Sequence, residues 1–201
     1  IQKIHRGGYS DMYTFAGAKF NEAGTVNGCL AEELELSIND NTAAVAYLFA
    51  PGVMTNGLSL REVSDIAHAR GVPVIVDAAA MLPPKSNLRT YIEDGADLVT
   101  MSGGKYIRGP QGAGLLFGRK DLIEAATLNT APNHSIGRPQ KVTKDEMVGL
   151  HTALKLFMES DDEAQFAEYR DVLGPIQNKL ESIPGIDLAI KHTENRYHVP
   201  T

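Results

Sequence analysis

Asp97-Leu-Val-Thr-Met-Ser-Gly-Gly-Lys105 and its continuation, Tyr106-Ile-Arg-Gly-Pro-Gln-Gly-Ala-Gly114, decide the fold. The largely apolar run from Ala96 to Met101 is short and bounded by turn residues, so it reads as a buried strand. A lysine ends that strand, with a hydroxyl three residues before it at Ser102 and glycines on every side. Burial at such a place lowers the pKa of an ammonium, so Lys105 can become a neutral nucleophile toward an aldehyde. Glycines let backbone N–H groups approach an anion closely. A P-loop is excluded by order: G-x-x-x-x-G-K-[ST] needs Ser or Thr after its lysine, and Tyr106 follows Lys105.

Upstream, Val72-Pro-Val-Ile-Val-Asp77 sets a carboxylate at the end of another apolar run. Ala43 to Phe49 reads as a strand buried on both faces, and Ala113 to Phe117 as a fourth strand. Helices are predicted over Asp11–Ala18, Ala31–Ile38, Leu88–Asp94 and Asp121–Leu128. A further helix opens on the capping box Ser59-Leu-Arg-Glu62 and runs through Ala69. Lys19 to Ala23 is a candidate short strand. Alternating strands and helices predict an α/β three-layer sandwich with a mostly parallel sheet and helices on both faces. Ligands in such sheets sit outside the carboxyl ends of the strands, where Asp77 and Ser102–Lys105 both lie.

After Pro139 the pattern changes. A second capping box, Thr143-Lys-Asp-Glu146, starts a helix with Met147, Leu150, Leu154 and Phe157 as its apolar face. Asp161-Asp162 leads into another helix through about Leu180, and Pro184-Gly185 turns toward a strand over Ile186–Ile190. Residues 1–140 thus read as one large domain. Residues 141–201 read as a connecting helix and an incomplete, small α+β C-terminal domain. The chain starts at Ile1, and Tyr197 to Thr201 read as the start of a strand. Both ends are therefore expected to be cuts in a longer polypeptide.

The 201 residues carry a net charge of −6. That balance disfavours a nucleic-acid surface, which rewards clustered Lys and Arg. Cys29 is the single cysteine, so no intrachain disulfide or thiolate zinc site is possible, and a reducing, cytoplasmic compartment is expected. No run is long and apolar enough to span a membrane as a helix. No Ser/His/Asp or metal-ligand constellation rises above chance.

An aspartate, a hydroxyl and a lysine in this order suit pyridoxal 5'-phosphate. Asp77 would hold the ring nitrogen protonated, Ser102 would bind phosphate and Lys105 would form the Schiff base. Each has a bland reading: a strand-end cap, a turn serine and a surface lysine. The small residues Ala78 to Ala80, Ala79 among them, would let a flat ring approach. Arg108 is a phosphate or substrate-carboxylate candidate, and a solvated loop arginine otherwise. Arg138, with Lys141 nearby, is a candidate for an anionic substrate group, as are His5 and Arg6 before Gly7-Gly8.

These residues resemble the fold-type I pyridoxal-phosphate enzymes, and more narrowly the selenocysteine-synthase-like group. That group takes in selenium transferases and the D-glucosaminate-6-phosphate ammonia-lyase type of sugar-acid lyase. The resemblance runs from about His5 to Leu154. It is densest in Pro73–Ala80 with Leu82-Pro-Pro84, in Gly95–Val99 through Lys105, in Gly109-Pro-Gln111, in Gly118–Leu122 and in Gly137–Val142. It implies that Lys105 carries the cofactor and Asp77 pairs with its pyridinium. It also implies a homodimer or higher homo-oligomer with sites at subunit interfaces. The group has a phosphate-binding turn and a ring-stacking residue ahead of the segment matched here, and this sequence shows neither. The implied reaction is α,β-elimination with loss of ammonia from a hydroxylated amino acid or amino-sugar acid. A seryl-tRNA transferase, an aminotransferase or desulfurase, and a non-catalytic binding protein of the same fold are the alternatives.

Overall fold

The pairing of two strands, β2 (Val74–Asp77) and β3 (Leu98–Ser102), organises the molecule. They run parallel, with Ile75 opposite Leu98 and Asp77 opposite Thr100. The computed structural model describes residues 10–25, 28–49 and 57–190. In chain order its elements are α1 (Ser10–Phe15), α2 (Ala31–Ser37), β1 (Val45–Leu48), α3 (Leu60–Ala69), β2, α4 (Asn87–Glu93), β3, β4 (Gly114–Gly118), α5 (Lys120–Leu128), α6 (Lys144–Glu159) and α7 (Asp162–Glu181). The sheet order is β1-β2-β3-β4. β1 lies parallel to β2, and β4 returns antiparallel to β3, with Ser102 opposite Gly114. The result is the expected α/β fold with a mixed, mostly parallel sheet.

Local chemistry explains the helix starts. The Ser59 hydroxyl accepts from the Glu62 N–H, and the Glu62 carboxylate accepts from the Ser59 N–H at 2.7 Å. Thr143 and Glu146 repeat this at α6, with the Thr143 N–H donating at 2.8 Å. Leu60, Val63 and Ala67 then form the buried stripe of α3, at the spacing of one helix face. Val74, Val76 and Val99 are fully buried at the centre of the sheet. Burial of this kind stabilises by roughly 1.5–3 kcal/mol per side chain. Leu150 and Phe157 of α6 join the same core.

Several expectations change. β1 is four residues long and half-buried rather than buried on both faces, because it is an edge of the described sheet. Phe49, just beyond it, is buried and packs on Tyr91 with ring centroids 4.7 Å apart. Lys19–Ala23 and Ile186–Ile190 form no strand; neither has a strand beside it among the described residues. Ile190 is the last residue described before 191–201, and the Leu188 carbonyl instead accepts from Gln177 Nε2. Met147 is exposed, leaving Leu150, Leu154 and Phe157 as the packed residues of α6. Tyr197–Thr201 lie outside the described residues.

At the amino-terminal end of β3, Asp97 is buried and makes polar contacts with three other elements or their flanks. One carboxylate oxygen accepts from the Val74 N–H at 2.7 Å and faces His68 Nε2 at 2.8 Å. The other accepts from Arg119 Nη1 at 3.0 Å. Its N–H donates to the Val74 carbonyl, and its own carbonyl accepts from the Arg119 N–H. Burial pushes the carboxyl up, but the hydrogen bonds from Val74, His68 and Arg119 outweigh it and hold the group below its ordinary value. A carboxylate with a depressed folded-state pKa adds stability above its unfolded pKa of about 3.9, and that stability fades as pH falls through the folded value. Asp97→Asn is expected to destabilise by roughly 1–3 kcal/mol at pH 7. Urea denaturation of both proteins across pH should show that gap constant above about pH 5 and closing below about pH 4.

Candidate active site

The ladder continues past the formal end of β2. The Phe49 N–H donates to the Asp77 carbonyl at 2.8 Å, the Ala78 N–H to the Thr100 carbonyl at 3.0 Å, and the Ser102 N–H to the Ala79 carbonyl at 3.4 Å. Asp77, Ala79 and Ser102 are therefore brought together at the carboxyl ends of two adjacent parallel strands. One Asp77 oxygen accepts from the Ala79 N–H at 3.0 Å, which orients the carboxylate across its own turn. Among the described residues no hydrogen bond or ion pair engages its second oxygen, the Ser102 hydroxyl or the Lys105 ammonium. Burial, with the Asp77 charge adding to it, pushes the Tyr13 phenol of α1 above its ordinary value. Nothing in the spacing pointed to Tyr13, which is remote from Asp77 in sequence.

Lys105 sits on the turn that follows β3. Gly103 and Ile107 face inward and are buried, whereas Lys105 between them is exposed. The burial expected of it is thus not supplied by the described residues, because Gly103 and Ile107, four residues apart, turn inward while Lys105, midway between them, turns out. The glycines also have a role other than anion binding. A Cβ on Gly103 would lie 2.6 Å from Leu150 Cδ1 and 2.7 Å from the Ala113 carbonyl oxygen. One on Gly104 would lie 2.7 Å from the Gln111 Cα, and one on Gly112 2.2 Å from Glu146 Oε1. The loop is glycine-rich because it is pressed against itself and against α6. The Gly103 N–H donates to the Ala113 carbonyl, and the Gly109 N–H to the Gly103 carbonyl.

Arg108 is exposed and has φ +61°, the one non-glycine residue in left-handed backbone among the described residues. Its N–H donates to the Lys105 carbonyl at 2.9 Å and its guanidinium to the Tyr169 hydroxyl at 3.3 Å. Such a conformation costs of order 1–3 kcal/mol and marks strained functional turns. Arg138 is half-buried in the 129–140 loop, where its N–H donates to the Ser135 carbonyl; no hydrogen bond or ion pair joins its guanidinium to the Asp77–Ser102 group. His5 and Arg6 lie outside the described residues. A separate open cavity of about 780 Å³ lies between Pro84-Lys85 and the start of α7, away from Asp77.

These groups fit pyridoxal phosphate. A carboxylate with one oxygen oriented and one uncommitted, a hydroxyl and a primary amine stand at the same end of the sheet, and the residues that follow Asp77 are the small Ala78, Ala79 and Ala80. Fold and site together define the class: the α/β fold of fold-type I pyridoxal-phosphate enzymes. Residues 8–182 match the family model for L-seryl-tRNA selenium transferase (SelA), and the chain belongs to that family. It is 32% identical over 193 residues to a 5'-C-glycyluridine monooxygenase-decarboxylase of a Streptomyces species, covering 92% of this chain and 46% of that one. It is 32% identical to a D-glucosaminate-6-phosphate ammonia lyase of Salmonella typhimurium, covering 89% and 45%. With an L-seryl-tRNA(Sec) selenium transferase of Aquifex aeolicus it shares 28% identity, covering 90% and 44%. The solved structure of a D-glucosaminate-6-phosphate ammonia-lyase superposes with a TM-score of 0.70 at 31% identity, covering 92% of this chain and 47% of that one. The chain thus spans about half the length of the relatives it matches.

Gly103→Ala should destabilise by about 1–3 kcal/mol, because its methyl meets the backbone carbonyl of Ala113 as well as Leu150. Gly112→Ala should cost less, since it meets no backbone atom, only the Glu146 carboxylate, which can shift at the expense of its capping bond to Thr143. Thermal denaturation of the two variants checks the order.

Proposed function

We propose that this chain forms the core of a pyridoxal-phosphate-dependent lyase that removes ammonia from a hydroxylated amino acid or amino-sugar acid. The observation that carries this reading is the placement of Asp77, Ala79 and Ser102 together, with Lys105 on the next turn. When bound, the cofactor supplies an electron sink for charge developing at the substrate α-carbon. Asp77 keeps the ring nitrogen protonated, and its Ala79 contact fixes the carboxylate's direction. Ser102 donates to the phosphate, and the small side chain of Ala79 admits the ring. Lys105 would hold the cofactor, and its Nζ would serve as the base for the substrate α-proton. In the net reaction the α C–H and β C–O bonds break with loss of water, and hydrolysis of the enamine product then releases ammonia and a 2-oxo acid.

Arg108 stands on the lysine turn as a binder of phosphate or of a substrate carboxylate. Arg138, His5 and Arg6 are the further anion-binding candidates for the substrate. Residues 1–140 act as the cofactor-binding domain, and residues 141–201 as the link to a smaller domain. We read the working enzyme as a cytoplasmic homodimer or higher homo-oligomer. Among the described residues no helix is long and apolar enough to cross a membrane.

The lyase is favoured over a tRNA-dependent transferase by the net charge of −6, which does not suit a phosphate backbone. The match to the selenium transferase model keeps the second reading in the test. Borohydride reduction of the purified full-length protein followed by peptide mapping should place the pyridoxyl label on Lys105. Lys105→Ala should lose the label and lower turnover of β-hydroxy amino acids or amino-sugar acids by about 10²–10⁴-fold or more. A label elsewhere, or retained turnover, overturns the assignment. Turnover of seryl-tRNA alone selects the transferase.

A further inference from the structure

The inward face of α7 is unusual in chemistry. Asp162, Gln165, Phe166, Tyr169 and Leu173 follow the spacing of one helix face, and only Phe166 and Leu173 are aliphatic or plain aromatic. Meanwhile Val172 and Ile176, further along α7, are 63% and 50% exposed. A helix docked by hydrophobic burial alone would turn its apolar residues inward. Here polar side chains face the core side, and two of them engage residues flanking Lys105. The Tyr106 hydroxyl donates a short hydrogen bond to Gln165 Oε1. The Arg108 guanidinium donates to the Tyr169 hydroxyl at 3.3 Å. The Tyr106 ring also packs edge-on against Phe157 of α6, with centroids 6.1 Å apart. On the other side of the lysine, Gln111 Nε2 donates to the Gly104 carbonyl at 2.8 Å. The Lys105 side chain is thus untethered on a turn held on both sides.

We propose that Gln165 and Tyr169 of α7 are positioning residues, which hold the Lys105 turn through Tyr106 and Arg108 and so set the direction of the lysine side chain. The proposal rests on the reading of Lys105 as the functional lysine. Burial, the neighbouring Tyr169 hydroxyl and the Asp162 charge push the Tyr106 phenol well above its ordinary value, so it remains a donor throughout the working pH range. The arrangement also accounts for the strained backbone of Arg108: the left-handed turn carries the guanidinium back to α7 instead of onward with the loop.

The test uses cofactor-free full-length protein. Competitive acylation measures the reactivity of Lys105 against Lys120, whose side chain is 90% exposed, across pH in one sample. Amide hydrogen exchange of residues 103–109 is followed in parallel. Gln165→Leu should speed exchange by about five- to tenfold, the effect of losing roughly one hydrogen bond. It should also change the relative acylation rate of Lys105 by at least about threefold, while the loaded enzyme needs more cofactor for half-saturation. Gln165→Glu, which keeps an acceptor for Tyr106, should restore both readouts, and Val172→Ala should alter neither. If Gln165→Leu fails to fold, Tyr169→Phe removes a single oxygen and carries the same measurement. Wild-type exchange and acylation in Gln165→Leu or Tyr169→Phe, or no rescue by Gln165→Glu, overturns the proposal. If wild-type protein takes no pyridoxyl label at Lys105 yet the variants shift its acylation, the clamp stands and the functional reading falls.

Discussion

The buried carboxylate of Asp97 is the constraint on which the rest of the structure depends. It reaches across to the Val74 N–H at the start of β2, to His68 on α3 and to Arg119 just past β4. A parallel pair slipped by one residue would turn every side chain to the opposite face. By binding Val74 through both its side chain and its own N–H, Asp97 sets the β2–β3 register at one end. The consequence appears at the other end, where Asp77 and Ser102 finish side by side. Gly118 is part of the same constraint: its φ is +146°, and a Cβ there would lie 2.0 Å from the Asp97 carbonyl oxygen.

Much of the fold was legible because its signals are local. Ser59 with Glu62 and Thr143 with Glu146 announce helix starts through bonds spanning three residues, and both boxes form. Asp77 and Ser102 could be placed from the end of an apolar run, since strand ends are where sheets of this type hold ligands. What could not be read depends on partners distant in sequence. Ala43 to Phe49 looks like a central strand until its neighbours are known, and as an edge it is shorter and half-buried. Asp97 was visible as a polar residue opening an apolar run, but His68, Val74 and Arg119 were not predictable as its partners.

The glycine-rich turn shows how one pattern can carry two physical causes. Anion binding and close backbone packing both demand residues without a Cβ. In this chain the contacts of Gly103, Gly104 and Gly112 are with Leu150, Gln111 and Glu146. The turn is therefore shaped by α6 before any ligand arrives, and the lysine's exposure follows from its place midway between the two inward residues, Gly103 and Ile107. The polar inward face of α7 had no counterpart in the sequence reading, because apolar periodicity is blind to a helix held by hydrogen bonds.

Arg108 holds a backbone conformation that glycine adopts at no steric cost. Backbone and side chain consequently pull this position in opposite directions. The backbone alone would be content with the smallest residue, and only the guanidinium gives a reason to keep a larger one. The identity of position 108 therefore trades backbone ease for the guanidinium's bond to Tyr169.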